Sequence, residues 1–442
     1  MNDAYVKSAA TDAIRPPAQQ TYAWTLVALL SFAYLLSTLD RYLLGVALEP
    51  IRTDLALTDT QLGLLVGPAF ALAYALFCPI LGRLADVTNR CHVIAGGMLV
   101  WSLSTAAIAF SNSFSWLLGA RALVGMGEAA LVPAATSLIA AYFVREQLGR
   151  ATSVFMAGSA LGKAVAFIGG GALLAILTTA GGLYLAWQFS AWQALFVLAA
   201  VPGAALACVF LVFRDPQRVE DRKKRAPRPP LSHFLKHVST RKQAYGFHIA
   251  ASTIAALCNN VFLAWSPSFY ARKFDLEPST AAILAGVATA ITGLAGFWVG
   301  GASMDALRRR GIASAPSWII ATALMVVIGG VSLFTLSNSL WISLLGYALT
   351  QFAIQSPGAA TMAGVQLLTP SAYRGFAIGA YLVILQLGAM ALGPALIGIV
   401  NDRLFAGESL GSSILAVVTG FGVLGVALAL GNTRAYGKAA VD

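Results

Sequence analysis

The sequence predicts an all-α integral membrane protein with twelve transmembrane helices in two six-helix repeats. Of its 442 residues, 58% are hydrophobic and only 11% are charged, whereas about 25% of the residues of a soluble domain are charged. The apolar residues are gathered into long runs, each about twenty residues or more, which is enough to cross a hydrocarbon core of ~30 Å. Motifs in the first half of the chain recur in the same order in its second half.

The apolar runs divide the chain into two bundles. We predict an N-terminal tail at 1–21, a first bundle at 22–213, a linker at 214–242, a second bundle at 243–432 and a C-terminal tail at 433–442. The predicted spans are 22–47, 61–82, 92–111, 114–142, 149–176, 191–213, 243–270, 279–301, 315–336, 338–366, 374–400 and 411–431.

The positive charge of the chain, +11 at pH 7, follows the membrane topology and does not indicate a nucleic-acid partner. Most of the 29 Lys and Arg residues lie in segments that would face the same side of the membrane. The positive-inside rule places this side, and both termini, in the cytoplasm. We therefore expect a multi-pass protein of the inner membrane. The first apolar run is too long for a cleavable signal peptide, and the four cysteines lack the spacing of disulfides or metal ligands.

The linker at 214–242 is strongly basic, with ten Lys or Arg residues against three acidic ones. Within it, four apolar residues follow the i, i+3, i+4, i+7 spacing of one helix face: Leu231, Phe234, Leu235 and Val238. This pattern predicts a short amphipathic helix on the inner leaflet. A solvated linker that is periodic over eight residues is an equally compatible interpretation.

Two motifs show that the halves repeat. Gly82 and Asp86, followed by Arg90, resemble Gly301 and Asp305, which arginines also follow. Likewise, the segment 144–150 precedes the fifth span, and the similar segment 369–375 precedes the eleventh. A two-fold repeat of six-helix units is a layout of secondary transporters.

The first half carries ionisable residues at membrane depth, where each costs at least ~2.5–3.5 kcal/mol and so indicates a functional site. Arg121 and Glu128 are about two helical turns apart on one face of the fourth span. Asp40 in the first span lies at the depth of Arg121, which predicts that the two side chains pair. Arg41 can face either the surroundings of Asp40 or a central cavity. A structural ion pair between helices is the alternative interpretation of these charges.

Lys163 of the fifth span is predicted at the depth of Glu128, facing either that carboxylate or a water-filled cavity. The second half has polar residues but no charged residue at comparable depth. We predict that the wall of a substrate cavity includes Tyr34, Lys163, Asn259, Asn260, Trp265, Gln351, Gln355 and Tyr381. Hydrogen bonding between helices is the alternative role for each of the amides.

The chain resembles the major facilitator superfamily over nearly its whole length. The resemblance rests on Gly82, Asp86 and Arg90 between the second and third spans, and on Arg121 with the glycines at 125 and 127. Val87, Asn89 and Cys91 depart from the basic, glycine and basic residues usual in the first of these motifs.

Two further segments narrow the resemblance: residues 39–42, with the sequence LDRY, and residues 127–129, with the sequence GEA. They look most like the spinster branch, whose vertebrate members export sphingosine-1-phosphate or move lysophospholipids. The anion:cation symporter branch shares much of the second segment and Pro133. It therefore stays as the alternative.

The repeat and the buried carboxylates beside basic residues predict a proton-coupled secondary active transporter that works by alternating access. The resemblance implies an amphipathic lipid-like substrate, and the three interior cations fit an anionic small molecule equally well. In this interpretation Asp40, Arg41, Arg121 and Glu128 couple transport to protons. The motif residues Gly82, Asp86, Arg90, Gly301 and Asp305 form a conformational gate. We expect a monomer without a cofactor. An enzyme or an ATP-driven pump is disfavoured, because the sequence has no metal-spaced histidine cluster, no nucleophile–base motif and no Walker loop.

Overall fold

The computed structural model of the chain describes residues 17–143, 145–184, 188–213, 215, 231–370 and 373–441. We number the twelve spans α1 to α12. In the first half they are α1 (Pro17–Leu55), α2 (Asp59–Val66 and Pro68–Val87), α3 (Arg90–Ile108), α4 (Phe114–Glu128 and Leu131–Tyr142), α5 (Arg145–Ala164 and Gly170–Thr179, joined by a π-helical segment, Val165–Gly169) and α6 (Ala191–Val212). Two short strands, β1 (Leu183–Tyr184) and β2 (Gln188–Phe189), pair antiparallel before α6.

The second half repeats this order after a linker helix, Leu231–Thr240. Its spans are α7 (Lys242–Phe274), α8 (Pro278–Arg309), α9 (Ala315–Leu336), α10 (Leu340–Gln355 and Gly358–Leu368), α11 (Arg374–Leu385 and Leu392–Leu404, joined by a π-helical segment, Gln386–Ala391) and α12 (Leu410–Val441). The all-α prediction is thus confirmed, with the short β1–β2 pair as the addition.

Eleven of these helices among the described residues are long and apolar enough to cross a membrane. The remaining span, α10, is interrupted before Gly358, so neither of its pieces is long enough by itself. Pro357 occupies the interruption, and proline cannot donate the backbone hydrogen bond that would continue a helix. The count of twelve spans is therefore consistent with the structure. Helix α12 continues to Val441, through the segment predicted as a tail.

The linker helix has the predicted amphipathic pattern, but its apolar face packs against the second half. Phe234 is buried beside Tyr373 and Phe376, with ring centroids 5.5 and 5.3 Å apart. His237 lies 2.9 Å from the carbonyl oxygen of Leu368 at the end of α10. Leu235 is exposed. The rest of the predicted linker, apart from residue 215 and residues 241–242, lies outside the described residues.

Helix pairing is the same in both halves, as the sequence repeat predicts. In the first half α2 packs on α4, and α3 packs on α6. In the second half α8 packs on α10, and α9 packs on α12. Glycines allow the close approaches: a Cβ on Gly97 or on Gly127 would lie 2.6 Å from a backbone atom of the facing helix.

The two halves are joined at the end of the bundle opposite the linker, which we call the distal end. Arg272 of α7 binds Asp59 of α2 through two hydrogen bonds of 2.7 Å, and its Nε contacts both oxygens of Glu49 at 2.9 and 3.0 Å. Asn401 of α11 donates to Asp59 at 2.6 Å, and the backbone N–H of Thr60 donates to Asp402 at 2.7 Å. The ion pairs that join the halves among the described residues all lie here.

Toward the linker end the halves separate. The pieces of α4, α10 and α11 that lie on the linker side of each break pack mainly within their own half. The same holds for Arg145–Ala164 of α5, which packs along α1 and makes a smaller contact with α8. Among the described residues, the halves are therefore bonded to each other at the distal end, whereas the helix pieces on the linker side pack mainly within their own half.

Candidate functional site

An ion pair between α1 and α4 forms the centre of the candidate site. Nη2 of Arg41 lies 2.6 Å from Oε2 of Glu128, and Oγ of Ser37 donates to the same oxygen at 2.8 Å. Ser37 and Arg41 are four residues apart, so they share the face of α1 that meets α4. The Glu128 side chain is fully buried. Its second oxygen, Oε1, has no hydrogen-bond partner within the described structure.

Aromatic rings support the arginine of this pair. The Arg41 guanidinium lies 4.6 Å from the ring centroid of Phe70 and 5.6 Å from that of Tyr74, both on α2. The Arg121 guanidinium also lies over the Phe70 ring, 5.4 Å from the centroid. An aromatic face attracts a cation electrostatically, and this attraction strengthens when water is excluded. Phe70 therefore lies close to two guanidinium groups.

The predicted pair of Asp40 and Arg121 is wrong for this conformation. Asp40 is buried and accepts a hydrogen bond of 3.3 Å from Thr105 of α3, whereas Arg121 donates to the carbonyl oxygen of Leu65 at 3.5 Å. The depth estimate could not specify the direction of each side chain around its helix axis. Arg121 points to the end of the first piece of α2, where terminal carbonyls lack intrahelical partners and favour a cation.

The sequence therefore identified the four charged residues but not their pairing. Ser37 and Thr105 were missed, and only Ser37 had a usable signal, its i, i+4 relation to Arg41. Thr105 and Phe70 lie on other spans, so only the packing of the bundle brings them to the site.

Lys163 is half-buried, with its Nζ 5.8 Å from the ring centroid of Tyr42. It forms no ion pair with Glu128, whose charged partner is Arg41. Among the described residues of the membrane interior, Lys163 is a cation with no carboxylate within 4 Å. The cavity position of Lys163 stays a prediction, because the cavity described next is lined by Arg41 and Tyr42 and not by Lys163.

A cavity lies between the two halves, beside Arg41 and Tyr42. Its wall is completed by Gly45 and Val66 of the first half and by residues of the second half: Asn260, Leu263, Ala264, Met390 and Pro394. Asn260 donates to the carbonyl oxygen of Ala256 at 2.9 Å, which leaves its side-chain oxygen available. The neighbouring Asn259 has a buried Oδ1 without a hydrogen-bond partner among the described atoms.

Three of the predicted cavity residues are buried inside the second half in this conformation. Trp265 is fully buried and donates from Nε1 to the carbonyl oxygen of Pro394 at 3.1 Å. Gln351 is fully buried and donates to the hydroxyl of Tyr347 at 3.1 Å. Tyr381 is buried in a cluster with Phe234 of the linker helix. These three side chains are not among the residues that line the cavity.

The other two predicted cavity residues are partly exposed. Tyr34 of α1 stacks on Phe155 of α5, with ring centroids 4.8 Å apart. Gln355, at the end of the first piece of α10, lies beside Gly293 of α8. Their contact with a substrate stays a prediction.

The predicted gate residues lie at the linker end. Arg90 binds Asp215 with hydrogen bonds of 2.6 and 2.8 Å, and it donates to the carbonyl oxygen of Ser137 at 3.0 Å. Ser137 belongs to the same half as Arg90, and Asp215 lies at the start of the linker. Asp86 is exposed at the end of α2, and Asp305 is exposed near the end of α8. Gly82 lies against Pro133, and a Cβ on Gly301 would meet no atom within 4 Å.

Comparison with known proteins identifies the family. The model of the Major Facilitator Superfamily matches residues 30–394, which is most of the chain. The chain belongs to the Major Facilitator Superfamily.

Individual members of the superfamily are similar at a lower level of identity. An MFS-type efflux pump of Mycolicibacterium smegmatis is 25% identical over 418 residues, covering 91% of each chain. Human protein spinster homolog 1 is 28% identical over 292 residues, which are 62% of this chain and 53% of the human protein. The crystal structure of a bacterial homolog of the human lysosomal transporter spinster, in an inward-facing and unoccupied conformation, superposes with a TM-score of 0.78. It is 22% identical and covers 97% of this chain and 98% of its own.

These findings confirm the fold class and the resemblance to the spinster branch. They also establish the general function. The superfamily consists of transporters, so this multi-pass membrane protein is a transporter rather than an enzyme.

Proposed function

We propose that the protein is a proton-coupled secondary active transporter that moves an amphipathic lipid-like or anionic small molecule by alternating access. The observation that carries this proposal is the ion pair of Arg41 and Glu128 beside the cavity, with Asp40 buried nearby. Charged groups at membrane depth are costly, so their presence inside the first half, with Arg41 at the cavity between the halves, favours a role in transport.

In the proposed coupling, the Glu128 carboxylate alternates between an ion pair with Arg41 and a bound proton. Burial favours the protonated form of a carboxylate, and a neighbouring arginine favours the charged form. In this conformation one oxygen of Glu128 binds Arg41 and Ser37, and the other has no described partner. When a movement of α1 against α4 within the first half draws Arg41 away from Glu128, the carboxylate binds a proton. When the pair re-forms, the proton is released. Asp40, which has no arginine partner here, is the second proposed proton acceptor.

The charge of the interior supports an anionic substrate. The interior of the first half contains three cations and two carboxylates: Arg41, Arg121 and Lys163 against Asp40 and Glu128. These groups together carry one excess positive charge when both carboxylates are ionised. Lys163 has no carboxylate partner, so a negatively charged group bound beside Tyr42 would supply one.

The opposite wall of the cavity is different in character. Asn260 offers an amide, and the leucine, alanine, methionine and proline of the second half offer apolar surface. A head group with negative charge and an apolar portion fits this division. The resemblance to the spinster branch supports a lipid-like substrate.

The alternative is an organic-anion/proton symporter of the anion:cation symporter type. The same three cations favour it, because they would bind a small carboxylate equally well. The two proposals differ in whether the substrate needs an apolar tail.

We further propose that the linker and both termini face the cytoplasm of a bacterial-type cell, that the protein lies in the inner membrane, and that it works as a monomer. The exposed positions of Asp86 and Asp305 at the linker end support a gate that closes when the two halves approach there. Gly82, Arg90 and Gly301 are proposed to hold the helix ends that carry these carboxylates.

Transport into proteoliposomes tests the function. Lysolipids, sphingoid lipids and small organic acids are offered with and without a pH gradient. We expect concentrative, uncoupler-sensitive accumulation of an anionic amphiphile. Accumulation of tail-less organic acids alone would favour the symporter alternative. Transport that never exceeds equilibration under any gradient would refute proton coupling.

A further inference from the structure

The two halves share an irregularity that the spans of a membrane bundle rarely contain. Helix α5 is π-helical over Val165–Gly169, and helix α11 is π-helical over Gln386–Ala391. The arginines of the two repeated segments that precede these π-helical stretches, Arg150 and Arg374, are 224 positions apart. When 224 is added to the numbers of the first π segment, 165–169 corresponds to 389–393, which overlaps the second π segment, Gln386–Ala391. Such segments are uncommon and occur frequently at functional sites.

Each π segment contacts a glycine of the opposite half. A Cβ on Gly67, in the break of α2, would lie 2.8 Å from the carbonyl oxygens of both Met390 and Ala391. A Cβ on Gly286 of α8 would lie 2.7 Å from Cβ of Phe167 and 3.1 Å from the backbone nitrogen of Ile168. Only a residue without a side chain allows backbones to approach so closely.

These two contacts are related by the internal repeat. The motif glycines Gly82 and Gly301 are 219 positions apart, and this shift places Gly67 on Gly286. The two contacts between the halves are thus equivalent. In each, a glycine of the second helix of one half packs on the π segment of the fifth helix of the other half.

The π segments also mark the points at which α5 and α11 change partners. On the linker side, Arg145–Ala164 packs along α1 of its own half, and Arg374–Leu385 packs on its own half as well. On the distal side, Gly170–Thr179 packs on α8, and Leu392–Leu404 packs on the first piece of α2, each in the opposite half. A helix that belongs to one half at one end and contacts the other half at its other end needs a point about which these contacts change.

We infer that the two glycine–π contacts, Gly67 with Met390 and Ala391 and Gly286 with Phe167 and Ile168, are the pivots about which the halves rock. The pivots persist in both conformations, whereas the distal contacts break when that end opens. This inference rests on alternating access in the proposed function. Its test measures distances within the protein, so it requires neither a proton gradient nor the substrate.

A distal glycine provides the comparison for the pivots. A Cβ on Gly398 of α11 would overlap the carbonyl oxygen of Asp59, at a contact that exists only while the distal end is closed. The variant Gly398→Ala should therefore destabilise the closed distal end alone. Gly67→Ala and Gly286→Ala should strain both conformations to the same extent. Gly96→Ala and Gly329→Ala are the matched controls, because a Cβ at either position meets no atom within 4 Å.

The experiment uses spin labels in a cysteine-free chain. One pair, at Thr53 and Glu277, reports the distal end, and a second pair, at Thr88 and Arg310, reports the linker end; all four positions are exposed. We expect Gly398→Ala to shift both distance distributions. Most molecules should show a longer distance between the distal labels and a shorter distance between the linker-end labels. Gly67→Ala and Gly286→Ala should keep the parent distributions while lowering the thermal unfolding temperature below that of both controls.

Either of two results would overturn the pivots. One is a shift of the distributions by Gly67→Ala or Gly286→Ala as large as that caused by Gly398→Ala. The other is an unfolding temperature of these variants equal to that of the controls, because the added methyl group would then meet no tight contact.

A cross-linking experiment covers the case in which Gly67→Ala and Gly286→Ala do not fold. Cysteines replace Val66 and Met390, which line the cavity together at one pivot, or Thr60 and Asp402, which are bonded at the distal end. Each pair is joined by the shortest bifunctional reagent that reacts, in the Gly398→Ala chain. We expect the pivot cross-link to preserve the shifted distances and the distal cross-link to restore the parent distances. A pivot cross-link that also restores the parent distances would contradict the inference.

Discussion

Arg272 binds both carboxylate oxygens of Asp59 at 2.7 Å, and this bidentate pair joins the second half of the chain to the first. The Asp59 side chain is 1% exposed and that of Arg272 is 19% exposed. Removal of one member of a buried pair commonly costs ~3–5 kcal/mol, because the other charge is left without compensation. The closed distal end therefore depends on this pair.

The first prediction concerns the ion pair of Arg272 and Asp59. Arg272→Gln should shift the protein strongly toward a conformation open at the distal end, seen as longer distances between spin labels at Thr53 and Glu277. Arg52→Gln is the control: Arg52 is 36% exposed and lies 3.5 Å from Asp59, and such pairs contribute about 0–1 kcal/mol. Equal shifts in the two variants would show that Arg272 does not hold the halves together.

The second prediction concerns the pairing of charges in the interior. A double-mutant cycle on Arg41→Gln and Glu128→Gln should give a coupling energy of about 1–3 kcal/mol, because these groups are in contact. The same cycle on Asp40→Asn and Arg121→Gln should give a much smaller value in this conformation. Thermal unfolding in detergent measures both. A larger coupling for Asp40 and Arg121 than for Arg41 and Glu128 would contradict the geometry.

The third prediction tests Lys163 as the partner of an anionic group. Lys163→Gln should raise the KM for an anionic substrate by about 10–100-fold, which corresponds to the ~1.5–3 kcal/mol of a hydrogen bond to a charged group. Lys163→Arg should restore most of the affinity because it keeps the charge. Equal KM values for Lys163→Gln and the parent would place the substrate elsewhere.

The fourth prediction concerns topology. A single cysteine at Lys236, exposed on the linker helix, should be protected from an impermeant thiol reagent added to intact cells and should react after lysis. A cysteine at Glu277, at the distal start of α8, should react from outside. Labelling of the Lys236 position in intact cells would reverse the proposed orientation.

Much of the fold was accessible from sequence because membrane spans are set by the length and composition of apolar runs. The repeat of Gly82 and Asp86 in Gly301 and Asp305 likewise indicated the two halves. The π segments were not predicted, since no residue pattern distinguishes one extra residue per turn from an ordinary helix. The docking of Phe234 on the second half was also missed, because periodicity reveals an apolar face but not what covers it.

The site was predicted as a set of residues and not as an arrangement. Asp40, Arg41, Arg121 and Glu128 stand out because each is costly in a membrane, and the sequence alone gives that cost. Which carboxylate meets which arginine depends on the rotation of α1 against α4 and on the carbonyls exposed where α2 breaks. Trp265, Gln351 and Tyr381 were taken for cavity residues because polarity in a span indicates an interior position but does not distinguish a wall from a core.

The most direct test of the proposed function compares accumulation with exchange for Asp40→Asn and Glu128→Gln in proteoliposomes. Proton coupling through these carboxylates predicts that both variants lose accumulation driven by a pH gradient, because neither amide can bind and release a proton. Exchange of labelled substrate at zero gradient should persist, since the cavity is retained. If either variant accumulates substrate with the pH dependence of the parent chain, that residue does not carry the proton. If both do, the coupling proposed for this site is wrong.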